Sequence, residues 1–506
     1  MMFSRSSSFA LRSAPLALAV AAALAVLTGC TVGPDYHGAP TVADSALHSE
    51  GFVRAPAAGI AATRAPNQWW LTLGDPQLND LIEAAFAHNP DLHVAQARLR
   101  ESRAQLQQQH ANELPKVSAD AAALRTRSPD VSTLNASSQG NNPSSGRGPL
   151  QLYTAGFDAT WEIDLFGGTR RAIEAASTQA EAVDADLADT QVSLAAEVAQ
   201  AYIDLRDQQQ RLALAQQQAD VEQKMLTLTQ QRRARGTAAD VDVERLTTQV
   251  ENTRATLTPL DAQVTDSLDQ LAVLTGRAPG ALDAQLAASQ PLPAVPAEVA
   301  IGDPSSLLQQ RPDIRAAERR LASSNAQIGE HVADFFPKVT LLGDLGFSAS
   351  DPGHLLRKNN FSWLAVPYLQ WNLLDFGRTL GTVHAAEASR DEAEARYTKA
   401  VLGALQDANS SLSRYGHQRE HLVTLQKVET SADHSATLMR QRYTAGASSL
   451  IDLLDTQREE FSAQQNVVAG HAELLKDFVS VQKSLGLGWR VQQGQQTQQT
   501  QEVQQG

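Results

Sequence analysis

The sequence predicts a mainly α protein with a small β-barrel portion. Long coiled-coil helices, built twice, carry four strands per chain that join a transmembrane barrel shared between chains. Three observations predict it. First, Trp161, Phe166, Gly167, Gly236 and Gly276 recur as Trp371, Phe376, Gly377, Gly446 and Gly486, each 210 positions on. Pro90 and Pro115 recur as Pro312 and Pro337, 222 positions on, so one copy carries 12 extra residues between Pro115 and Trp161. A period this long is no solenoid module; it resembles the duplicated halves of transport proteins. Second, each copy holds a helical pattern of about 66 residues, roughly 100 Å at 1.5 Å per residue, which no ordinary globule buries. Third, each copy holds segments that alternate apolar and polar residues with a period of two.

The elements follow in order. Residues 1–29 read as a secretory signal: Arg5 and Arg12 precede an apolar run from Ala14 to Leu27, too short for a membrane-spanning helix. Leu27-Thr28-Gly29-Cys30 resembles a bacterial lipobox, which makes Cys30 an acylated first residue and membrane lipid its partner. Cys30 is the only cysteine, so no internal disulfide forms. The lipoprotein rule that retains an Asp-bearing chain at the inner membrane finds Thr31 here, which directs the chain outward. Residues 30–75 are the lipid-anchored segment.

Copy one covers 76–276. Its first helix is expected from Gln77 to Glu113, followed by strands at Lys116–Leu124 and Tyr153–Phe166, with the extra residues in the polar stretch Arg125–Gln151. A helical pattern then runs from Thr169 to Arg235 without proline or glycine, breaks at Gly236, and resumes from Ala239 to Thr275. Residues 277–304 carry five prolines and form a linker or small irregular segment. Copy two, 305–486, repeats the order as Ser305–Asp334, Lys338–Phe347, Trp363–Phe376, Thr379–Ala445 and Ser448–Leu485. Residues 487–506 are a Gln-rich tail too poor in apolar surface to fold.

The long helices place apolar residues on heptads. Val198, Leu205, Leu212, Ala219 and Leu226 form one seam; Val401, Ala408, Tyr415 and Leu422 form the other. The strands put Phe157, Ala159, Trp161, Ile163 and Leu165 on one face. Asp158, Thr160, Glu162 and Asp164 lie on the other. Trp363, Ala365, Pro367, Leu369, Trp371 and Leu373 form the corresponding apolar face in copy two. Four strands cannot close a barrel, and an open edge in lipid is costly, so the chain must oligomerise. A dimer gives eight strands and a filled interior; a trimer gives twelve and room for a channel. The carboxylates Asp158, Glu162 and Asp164 favour a wet lumen, with a soluble sheet docked on helices as the bland alternative.

The net charge of −14 gives no basic patch for nucleic acid. His417-Gln418-Arg419-Glu420-His421 matches the inverted zinc-peptidase pattern, yet it lies inside a heptad rod with no third ligand in view. Ser480-Val481-Gln482-Lys483 lacks the companion motifs of β-lactam enzymes. No phosphate-binding loop, dinucleotide turn or paired-cysteine site is present, so neither catalysis nor a cofactor is expected.

Several motifs together resemble the TolC-like outer-membrane factors of tripartite efflux pumps, in their lipoprotein branch. They are Thr31-Val32-Gly33-Pro34-Asp35-Tyr36, Trp69-Trp70, Gly74-Asp75-Pro76-Gln77-Leu78 and Asn89-Pro90-Asp91-Leu92. Arg311-Pro312-Asp313-Ile314, Asp164-Leu165-Phe166-Gly167 and Leu374-Asp375-Phe376-Gly377 complete the set. The resemblance spans Cys30 to Trp489. It implies a homotrimer with one 12-stranded transmembrane barrel and a helical tunnel across the periplasm, meeting a periplasmic membrane-fusion adaptor and an inner-membrane RND-type transporter. It places the periplasmic gate on Ile451, Asp455 and Arg458, where copy one has Val241, Arg245 and Thr248. The same resemblance puts the adaptor-contact tip at Arg235-Gly236-Thr237 and Ala445-Gly446-Ala447, with Arg233, Arg442 and Thr444 beside it; a plain helix C-cap there is compatible with that role.

The function so implied is a passive exit duct of the outer membrane for small molecules such as drugs or toxic compounds. The alternatives are the channel of a type I protein secretion system, from which acylation is usually absent, and a non-conducting coiled-coil envelope protein.

Overall fold

The computed structural model describes residues 31–49, 51–126 and 150–490. The signal segment, Cys30, residues 127–149 with the extra loop length, and the tail from 491 lie outside the described residues. The chain divides into two compact units, the described parts of Met1–Ala39, Glu101–Ala180 and Arg319–Glu394, and those of Pro40–Arg100, Glu181–Glu318 and Ala395–Gly506.

Copy one supplies α1 (Pro76–His88), α2 (Pro90–Ala111), β1 (Lys116–Thr126), β2 (Leu150–Ile163), α3 (Gly168–Ala234) and α4 (Asp240–Leu274). Copy two supplies α5 (Pro312–Ala333), β3 (Lys338–Ala349), β4 (Phe361–Gln370), α6 (Arg378–Thr444) and α7 (Leu450–Ser484). Both long helices, α3 and α6, contain 67 residues, and their bounds differ by the repeat offset. The heptad seams are buried except at Leu212, which is half-buried: Val198 and Leu205 are fully covered in α3, as are Val401, Ala408 and Tyr415 in α6.

The single helix expected from Gln77 to Glu113 is a break between two. Asn89 is extended, with φ −64° and ψ 128°, because Pro90 disfavours the helical region for the residue before it. The same happens in copy two, where Arg311 before Pro312 is extended and ends a short helix at Leu307–Gln310. Asn89 then caps α2, accepting the Leu92 N–H at 3.0 Å.

In the first unit the four strands form one antiparallel meander in the order β1-β2-β3-β4, so the two copies meet at the β2–β3 pairing. The register aligns Ala119, Phe157, Leu345 and Trp363 in one row, and Trp161, Leu341 and Pro367 in another. Cross-strand partners share a face, so these rows make the apolar face that the alternation predicts. The strands end sooner than expected, at Ile163 and Gln370, since the next residues turn to cap helices. β4 does not alternate: Leu364, Val366 and Tyr368 occupy its second face and are exposed, like Trp363 and Leu369 on the first. Repeated tryptophans tie the strands to the preceding helices in the same way. Trp161 donates its indole N–H to the Glu113 carbonyl, and Trp371 to that of Phe335, both at 3.0 Å.

The second unit buries its largest side chains around the Trp69-Trp70 turn. Trp69 meets Trp70 and Phe478 edge-to-face at 5.7 and 5.9 Å, and Trp70 meets Phe86 at 5.8 Å. Such geometry adds to the burial gain of each ring. Asp75 organises the start of α1. One carboxylate oxygen accepts the Gln77 and Leu78 amides and caps the helix, and the other accepts the Tyr202 hydroxyl at 2.7 Å. Burial, with that bond to Asp75, pushes the Tyr202 phenol up to about 12. The fully buried Arg206 stacks over Tyr202 and bonds Gln77, Gln209 and the Ala288 carbonyl. The proline-rich linker is tied down too, because Val299–Ala300 pairs in parallel with Ile60–Ala61.

Candidate functional site

Both glycine turns of the second unit are Schellman caps. Thr237 N–H reaches the Arg232 carbonyl and Gly236 N–H that of Arg233; Ala447 and Gly446 repeat this onto Arg442 and Tyr443. Gly236 and Gly446 have φ near +73°, which glycine adopts without a Cβ clash, and a Cβ on either would touch nothing within 4 Å. Both turns therefore present open backbone, with Arg235, Thr237, Ala445 and Ala447 all exposed. A small apolar cluster joins the regions behind them: Leu226, Leu246 and Val250 of copy one pack with Leu450 of copy two. Arg232 donates to the Tyr443 hydroxyl across the same junction.

Ile451, Asp455 and Arg458 lie in the first turns of α7, just after a capping box made by Ser449 and Asp452. Their spacing of four and three puts them on one helix face. Ile451 is 43% exposed, and Asp455 accepts Arg458 Nη2 at 3.2 Å with both side chains more than half exposed. Within one chain this is a solvated i,i+3 pair. The residues at the same offset in copy one, Val241, Arg245 and Thr248, carry no carboxylate.

On the sheet, Asp158 stands opposite Asp344 on one side and Ser118 on the other, while Glu162 stands opposite Thr340. Asp344 was missed in the sequence, although its even position in β3 matches the polar face. Asp164 does not share that face. It lies beyond the strand and accepts Arg170 N at 3.0 Å and Arg170 Nε at 3.3 Å, capping the start of α3. An orphan amide in the first helical turn needs such an acceptor, which is why the carboxylate turns away from the sheet. Asp375 does the same for α6, accepting Gly377 and Thr379 amides.

Sequence reasoning also missed a cluster around Arg171, whose side chain is only 4% exposed. It binds the carbonyls of Val32 and Gly33 and the carboxylates of Asp35 and Glu174. The guanidinium holds the Asp35 carboxyl below the usual carboxylate range. No local pattern signals this, because the strap partners are over 130 residues away. The residues of the zinc-peptidase pattern lie along α6, with His417 Nδ1 at 2.7 Å from the Ser413 carbonyl. Among the described residues no helix is long and apolar enough to cross a membrane, and no group of three or more His, Cys, Asp or Glu is placed to hold a metal.

A twice-repeated order of helices and strands, with two strands from each copy joined in one antiparallel sheet, defines a TolC-like channel protein. The sequence profile of the outer membrane efflux protein family matches residues 81–277 and 304–487, one stretch per copy, and the chain belongs to that family. The antibiotic efflux pump outer membrane protein ArpC of Pseudomonas putida is 32% identical over 479 residues, 94% of this chain and 96% of that protein. The toluene efflux pump outer membrane protein TtgC, also of Pseudomonas putida, is 31% identical over the same shares. Among solved structures, the outer-membrane channel OprN superposes with a TM-score of 0.79 at 35% identity, over 91% of this chain and all of that one. The chain is thus an outer-membrane efflux component, a channel protein rather than an enzyme.

Proposed function

We propose that three chains assemble into one exit duct. Their sheets close a 12-stranded barrel in the outer membrane, and their helices line a periplasmic tunnel. The carrying observation is the sheet: its outer strands β1 and β4 pair with nothing else among the described residues, and their side chains are exposed almost throughout. Unpaired edges in lipid leave a row of unsatisfied backbone groups, which closure with neighbouring copies removes.

Small molecules such as drugs or solvents pass outward, as the names of the antibiotic and toluene pump relatives suggest. An inner-membrane RND-type transporter supplies the energy, and a periplasmic membrane-fusion adaptor docks at the two glycine turns. Ile451, Asp455 and Arg458 form the gate: three copies of Asp455 near an axis repel one another and draw cations, and Arg458 offsets that charge. Acylated Cys30 adds a lipid anchor. Asp158 and Glu162 line the barrel lumen.

Cross-linking and native mass measurement of detergent-extracted protein test the assembly; a trimer is expected, and a monodisperse monomer contradicts it. Expression in a bacterium lacking its own efflux outer-membrane component, beside a compatible pump and adaptor, should restore tolerance to toluene or antibiotics. Unchanged sensitivity with correctly inserted trimer rules out the efflux role.

A further inference from the structure

The segment that follows Cys30 in sequence lies in a built receptor for the chain's own N-terminal strap. Thr31–Asp35 lies between the start of α3 and α5. Val32 donates its N–H to the Phe166 carbonyl at 3.1 Å, and Asn325 Nδ2 donates to the Pro34 carbonyl at 2.9 Å. Arg171 donates to Val32 O at 3.2 Å and to Asp35 Oδ1 at 2.6 Å. Glycines make the space. A Cβ on Gly33 would stand 2.3 Å from Gly329 Cα, one on Gly329 2.9 Å from the Arg171 stem, and one on Gly167 2.6 Å from Thr31.

The duplication supplies the control. At the same offsets in the opposite copy stand Gly381 for Arg171 of copy one, and Arg103 and Gln107 for Asn325 and Gly329 of copy two. Gly381 has open space around its Cβ position. A chain has one N-terminus, and among the described residues Arg171 of copy one, with Asn325 and Gly329 of copy two, supplies the groups that grip it.

We propose that Arg171 positions the lipid-bearing N-terminus. It pins residues 32–35, the strap that directly follows Cys30 in sequence, against the β2–α3 junction. The inference rests on the reading of Cys30 as acylated. The grip itself is independent of acylation, since its bonds begin at residue 32. Arg171 acts through the strap and is a positioning residue. Its bidentate-capable fork, not its charge alone, holds two carbonyls and two carboxylates, which a lysine ammonium cannot reproduce.

Hydrogen exchange read by mass spectrometry on the acylated trimer tests this, with the mass of the Cys30 peptide recorded in parallel. In Arg171→Met, exchange in the peptide spanning residues 31–39 should rise at least about tenfold, with residues 150–180 unchanged; Arg171→Lys should fall between Met and wild type. Asn325→Ala, which leaves the Arg171 bonds in place, should raise it by a smaller factor. Unchanged strap exchange in Arg171→Met overturns the proposal. So does a rise spread equally over residues 150–180, which would make Arg171 a support of the fold. An unacylated Cys30 in wild-type protein removes the lipid-positioning role and the anchor reading with it, while strap exchange still reports whether the grip exists.

Discussion

Asn89 Nδ2 meets the Leu274 carbonyl at 3.0 Å and so closes the C-terminal end of α4 in its own copy. Arg311, the equivalent residue of copy two, donates Nη1 to the Ser484 carbonyl at 2.8 Å and closes α7 in the same way. Asn89→Ala removes this bond and the α2 cap together and should cost about 1–2 kcal/mol. Arg311→Ala should cost more, about 2–4 kcal/mol, because Asp313 loses its guanidinium partner in a partly covered site. Thermal unfolding followed by the helical signal orders the two variants.

Repeated glycines divide by what surrounds them. Gly236→Ala and Gly446→Ala face only left-handed strain and should each cost about 1–2 kcal/mol. A Cβ at Gly276 would meet the His88 carbonyl at 2.2 Å, and one at Gly486 the Arg311 backbone at 2.7 Å. Alanine at those two positions should therefore lower the melting temperature clearly further than at the turns. Equal losses at all four sites would count against the close packing of the α1–α2 break on the helix ends.

Asp477 on α7 is 7% exposed, and burial, with the Glu473 charge, pushes its carboxyl up to about 6 despite Arg414 and Lys476. The folded chain holds this proton more tightly than the unfolded one. Its contribution is therefore most favourable below about pH 4 and is lost as the pH rises through 6. Asp477→Asn should stabilise the protein by about 1–3 kcal/mol at pH 7.5, with the gain vanishing near pH 4. A gain independent of pH would show that the ionised form is not what costs.

At the proposed gate, the exposed Asp455–Arg458 pair contributes only a few tenths of a kcal/mol to folding, about 0.2–0.5, so neither single variant should move the melting temperature measurably. Arg458→Ala should raise open probability in single-channel records, and Asp455→Ala should weaken cation preference. Copy-one Arg245→Ala should do neither. Identical records for Asp455→Ala and wild type would remove Asp455 from the gate.

The sequence disclosed what repeats and what alternates. Recurring glycines became positive-φ caps, and the Val198 and Val401 seams became buried ones. The helix break was within reach, since Pro90 and Pro312 mark it, but helical periodicity carried the reading past them. Strand ends were misplaced because Asp164 continues the alternation up to the point where it caps α3. The Arg171 grip and the Arg206–Tyr202–Asp75 network were not legible at all. Their partners are far apart in sequence and obey no period, and only the folded chain brings them together.

Planar-bilayer recording of the purified wild-type protein addresses the central claim most directly. An export duct predicts discrete conductance steps with a preference for cations. Folded, trimeric protein that inserts into the bilayer yet passes no ions under any voltage or pH would contradict it.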